Sequence, residues 1–236
     1  MATPLYILAA APAQPSKLKR FFESGQGTIM ELLRNPGNLR YAGWSLETLD
    51  TPRIIKGEYL EVRNGDRKTI NLYEDGTLIV KGSCDGSFLG WGSGQKEGNV
   101  QLRLHSLAII EFTYSFVGFY QRLVPHFVSK PPQFHFRVEL KDAFLDEDTK
   151  LYFTPGAIGS FGWALDHYPY YAPENDMIRQ IEIETNEVEH SPARIAYRLI
   201  EQIYIWFGIE SDKIHYTIED GDGSKIISVE SIKNAK

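Results

Sequence analysis

Among 236 residues, few side chains have both the type and the setting to do chemistry, and Glu111 is foremost. It interrupts Ser106-Leu-Ala-Ile-Ile-Glu-Phe-Thr-Tyr-Ser-Phe-Val-Gly-Phe-Tyr-Gln-Arg-Leu-Val124, a run that is otherwise almost wholly apolar. A carboxylate among apolar neighbours must find a cationic or hydrogen-bonding partner, or stay protonated. Partnered, it is architecture. Unpartnered in a cleft, it becomes a ligand-binding group or an acid–base group working with His105 or His167. The six histidines, at 105, 126, 135, 167, 190 and 215, include no His-Glu-x-x-His pair, so a zinc protease site is not indicated. Ser160 lies in a Gly-rich stretch that misses the Gly-x-Ser-x-Gly spacing of a nucleophile elbow. Cys84 is the one cysteine. It rules out a disulfide framework and suits a reducing cytoplasm. No cofactor or metal is expected, since no Gly-x-Gly-x-x-Gly and no Walker-type Gly-Lys-Ser/Thr is present.

Two further groups of residues suggest binding. The stretch 161–171 concentrates Trp163, His167 and Tyr170, rings that either wall a small-molecule pocket or cover a sheet. Together with Glu111 and Arg122 they are the ligand-binding candidates. Arg53, Lys56, Arg63, Arg67 and Lys68 form a basic ribbon able to meet a phosphate backbone. Glu58, Glu61 and Asp66 are interleaved with them, however, and edge strands carry such charges simply to resist aggregation. The net charge is −6. Residues 1–130 hold 15 Lys and Arg against 12 Asp and Glu, and the remaining residues hold 10 against 19. A nucleic-acid face would therefore have to lie in the first half.

The elements that position these residues follow from periodicity. The run 106–124 reads as a central helix. At 3.6 residues per turn, Ala108, Glu111, Ser115, Gly118 and Arg122 fall on one narrow stripe. Glu111 and Arg122 prevent it from reading as a membrane span. Residues 5–10 predict a buried strand. Ser16 predicts the cap of a helix over 16–23, and Thr28-Ile-Met-Glu31 has capping-box spacing for a second short helix. Strands are expected over 39–45, 52–63, 68–74 and 77–81, with a further edge at 88–91. Asn64-Gly65 and Asp75-Gly76 mark tight turns between them. Later strands are expected at 134–140, 151–153 and 178–183. A helix from Pro192 to Phe207 and a final hairpin around Asp220-Gly-Asp-Gly223 complete the pattern. The fold class is α+β: an antiparallel meander sheet packed on a central apolar helix, with a smaller C-terminal helix-and-strand part. The chain reads as one domain, with a subdivision near residue 130 as an option.

Arg34-Asn-Pro-Gly-Asn-Leu-Arg-Tyr-Ala-Gly-Trp44, the 57–79 hairpin region, Phe88-Leu-Gly-Trp91 and Leu107–Val117 together resemble bacterial AlbA-like, Schlafen-related DNA-binding proteins. The resemblance spans roughly residues 5–230 and carries no catalytic residue with it. It implies the region that follows the nucleic-acid domain of those proteins, and hence a protein partner or an upstream domain of the same chain. Three functions are therefore in play. The first is a non-catalytic accessory module for ligand sensing or protein contact. The second is direct nucleic-acid binding through the 53–68 ribbon, and the third is an enzyme with a Glu111-centred cleft.

Overall fold

The chain's first strand lies inside its main sheet, third of seven. In the computed structural model, which describes residues 3–40, 43–47, 50–90, 95–96, 99–100, 102–146, 149–154 and 170–235, β1 (Leu5–Pro12) runs between two partners distant in sequence. The meander supplies β2 (Arg53–Ile55), β3 (Tyr59–Asn64), β4 (Lys68–Tyr73) and β5 (Leu78–Ser83). Two-residue strands β6 (Gln95–Lys96) and β7 (Asn99–Val100) pair locally, and β8 (Arg103–His105) leads straight into the central helix. Beyond that helix come β9 (Gln133–Lys141), β10 (Tyr152–Thr154), β11 (Tyr170–Tyr171), β12 (Met177–Glu184), β13 (Thr217–Glu219) and β14 (Lys225–Ile227). The seven-stranded sheet has the order β12-β9-β1-β5-β4-β3-β2, antiparallel throughout. Strands from both halves of the chain thus share one sheet.

The helices are α1 (Ile29–Arg34), α2 (Ser106–Leu123), α3 (Thr185–His190), α4 (Pro192–Trp206) and α5 (Val229–Lys233). The α2 helix covers the sheet face built by Tyr6, Leu8, Val80, Phe134 and Phe136, all fully buried. Its aromatic rows interlock with that face. Tyr120 meets Phe134 and Phe136 edge-on, each at 5.3 Å, and the Tyr6 hydroxyl bonds Thr113 Oγ1 at 2.7 Å. Burying large rings supplies most of the local stabilisation, about 2–3 kcal/mol per side chain before entropy. On its other flank α2 packs against α4, whose Ile195, Leu199 and Ile203 are buried as their spacing predicts. No helix among the described residues is long and apolar enough to cross a membrane.

Several expectations are corrected. Residues 16–23 form no helix. Leu18 bridges to Phe127 and Arg20 adopts φ 50°, so tertiary pairing overrides local helix propensity. The expected 52–63 strand is two strands, folded at Lys56 and Gly57, both with positive φ. The described residues of 39–45 are not strand, and 88–90 is a turn. The short helix α3 was not foreseen. His105, not Ser106, is the residue preceding the first turn of α2.

Candidate functional site

The stripe read from the sequence is real, and one segment is strapped along it. Residues 35–40 and 43–44 follow α1 and lie across the Glu111–Arg122 face of α2, tied down by two arginines. At one end Arg122 donates Nη1 to the Asn35 carbonyl at 3.1 Å and Nη2 to the Pro36 carbonyl. Its Nε turns back to the Gly118 carbonyl at 3.4 Å. Gly37, at φ +80°, makes the turn that lets both carbonyls face the guanidinium. At the other end Arg40 donates Nε and Nη2 to Glu111 Oε2, at 3.0 and 2.8 Å, and Nη1 to the Ala235 carbonyl at 2.9 Å.

The Glu111 end is closed. The carboxylate is completely buried, and Gly43 lies so near that a Cβ there would fall 1.8 Å from Oε1. Burial pushes the Glu111 carboxyl up, and the Arg40 charge with the Trp44 amide draws it partly back. Arg40 lies over the Trp44 ring at 5.4 Å, and Trp44 stacks on His105 at 5.7 Å. Trp44 Nε1 donates to the Phe88 carbonyl at 2.8 Å. Burial, together with Arg103 and Arg40, lowers His105 to about 4, so it stays neutral at the positive end of α2. Among the described residues no opening leads to Glu111, whose side chain is fully buried.

The other end is open. Between the strap and α2 lies a cleft of about 210 Å³, lined by residues that include Leu39, Tyr114, Ser115, Gly118, Gln121 and Arg122. Gln121 is fixed by its bond to the Glu189 carbonyl at 2.6 Å. Arg122 makes no ion pair among the described residues, and burial lowers its guanidinium from the usual value.

Of the other ligand-binding candidates, Tyr170 is a β11 residue that pairs with Phe153 and packs against the core, on a small separate sheet. Trp163 and His167 lie outside the described residues. The basic ribbon does not come together as expected. Lys68 is corrected: it is buried, and its ammonium donates to the Ser45 carbonyl at 2.7 Å and to that of Glu47. Burial lowers it to about 8. It shares strand parity with buried Ile70 and Leu72, so the alternation pointed inward. Arg63 pairs with Glu61 at 3.0 Å. Arg53 lies exposed on the edge strand. Lys56 and Arg67 occupy turns at opposite ends of β3, a separation of roughly 17–20 Å for a strand of that length.

The residues that sequence reasoning missed are Arg40, Gly43 and Trp44. A buried Glu111 required a cation, and Arg40 was visible only as one of several scattered basic residues. No protein-family model, no curated protein and no solved structure matches the chain.

Proposed function

We propose that this chain is a non-catalytic accessory module, for ligand sensing or protein contact, of a bacterial DNA-associated protein. The observation that supports it is the state of Glu111, the carboxylate with the strongest claim to reactivity. Its charge is taken up by Arg40, and its surroundings are sealed by Gly43 and the Trp44–His105 stack. A general acid or base must come within hydrogen-bond reach of a substrate proton, and that packing leaves no such approach. The DNA association rests on the resemblance of residues 34–44, 57–79, 88–91 and 107–117 to the AlbA-like, Schlafen-related proteins. Cytoplasmic placement is part of the same reading.

The test is turnover by the purified chain, offered nucleoside triphosphates and single- and double-stranded nucleic acid. The module reading expects no product above a blank. Hydrolysis or cleavage that disappears in a folded Glu111→Gln variant would overturn it. Tight, salt-sensitive binding of DNA that is lost in Arg53→Glu/Arg67→Glu would instead make the ribbon the working surface.

A further inference from the structure

We propose that the open cleft between the strap and α2 binds a small monocarboxylate whose flat apolar body ends in a hydrogen-bonding group. The carboxylate would lie on Arg122 and the far end of the body against the Ser115 hydroxyl. This deepens the ligand-sensing form of the function proposed above and rests on it.

Gly118 is the first support. A glycine inside a helix is destabilising relative to alanine, so its presence calls for a reason. The usual reasons are a positive φ or a close neighbour. Gly118 has neither: its φ is ordinary, and a Cβ built there would meet nothing within 4 Å. What the missing side chain provides is the floor of the cleft.

Ser115 is the second support. It is only 7% exposed, yet its Oγ meets no hydrogen-bond partner among the described residues. A serine inside a helix can satisfy itself on the carbonyl four residues back, and this one does not. It lines the cleft one turn before Gly118. A buried hydroxyl without a partner is a standing cost that a ligand atom would relieve.

Arg122 is the third. A guanidinium carries five N–H donors. Three are taken by the carbonyls of Gly118, Asn35 and Pro36, leaving one on each terminal nitrogen. One free donor on each terminal nitrogen of an exposed but anchored cation can meet the two oxygens of a carboxylate. The three carbonyls orient the fork, and none of them neutralises it. The side chain folds back along α2, so the fork lies over the cleft instead of beyond it.

Size and walls set the ligand class. Leu39, Pro36 and Tyr114 give apolar sides. The volume of about 210 Å³ is below the roughly 300 Å³ at which drug-sized ligands begin to fit. A single ring with a carboxylate suits it.

The experiment is an amide-resolved NMR titration of the chain with benzoate, 4-hydroxybenzoate and the neutral isostere benzamide. The two acids should shift the amides of Gly37, Ser115 and Gly118, and benzamide should bind about tenfold or more weakly, having lost the charge-assisted pair. Ser115→Ala should weaken 4-hydroxybenzoate and leave benzoate unchanged. Gly118→Leu fills space that is empty and favours the helix, so it should fold and abolish the cleft shifts. If neither acid perturbs these amides, or if Gly118→Leu binds them as well as the natural chain does, the inference is wrong. That result leaves the protein-contact form of the module standing, whereas enzymatic turnover would remove the module and not the cleft.

Discussion

Glu111 and Gly118 lie two turns apart on the same face of α2, beneath the same strap, and their surroundings are opposite. At Glu111 the strap presses in until Gly43 touches the carboxylate, and Arg40 takes up the charge. At Gly118 the strap stands off, and a buried serine hydroxyl next to it has no partner among the described residues. The difference shows how a buried polar residue can mislead. The residue most suggestive of chemistry is structural, ion-paired through Oε2 although its Oε1 meets no hydrogen-bond partner among the described residues, while the small, chemically silent residues mark the space where something else fits. A buried charge held by a cation closes its own site, because an unpaired one would be too costly to keep.

The largest expected effect breaks the closed end. Arg40→Ala removes the cation and leaves Glu111 buried, which should cost about 3–5 kcal/mol in denaturant unfolding. Replacing both partners with apolar residues of similar volume should recover much of that loss. A loss below about 1 kcal/mol, in the range of exposed pairs, would mean that the pair is not desolvated as described.

A smaller effect comes from His105 beside the same cluster. Its folded-state value of about 4 lies below its ordinary value. Between those limits the unfolded chain binds a proton that the folded chain refuses. Its contribution is therefore fully present above about pH 6.5 and is lost as pH falls toward 4. Between pH 7 and pH 5 the natural chain should lose about 2 kcal/mol more stability than His105→Gln. Equal losses in the two proteins would show that His105 is not held neutral by this packing.

Much of this arrangement was legible in the residues, for reasons that are local. The 3.6-residue period placed Ala108, Glu111, Ser115, Gly118 and Arg122 on one stripe, and that stripe is what the strap meets. Asn64-Gly65 and Asp75-Gly76 marked the hairpins because few residues accept positive φ. The illegible part is non-local. Arg40 finds Glu111 71 positions away, a pairing no short window contains. Residues 39–45 contain apolar residues and a tryptophan, as a strand does, yet the described ones lie along the helix, because Arg40, Gly43 and Trp44 are each committed to it or to Phe88. Leu18 pairs with Phe127 for the same kind of reason, which undoes the helix expected at 16–23. The inward turn of Lys68 was readable by parity with Ile70 and Leu72, but a lysine is ordinarily assigned to solvent.

One paired measurement tests the contrast most directly: the unfolding free energies of Gly43→Ala and Gly118→Ala. Opposite signs are expected. A methyl at 43 must displace the Glu111 carboxylate from Arg40 and should destabilise by about 1–3 kcal/mol. A methyl at 118 enters open space on a helix and should stabilise by up to about 1 kcal/mol. Destabilisation at both positions would contradict it, because the strap would then be packed along the whole stripe and the cleft would not exist.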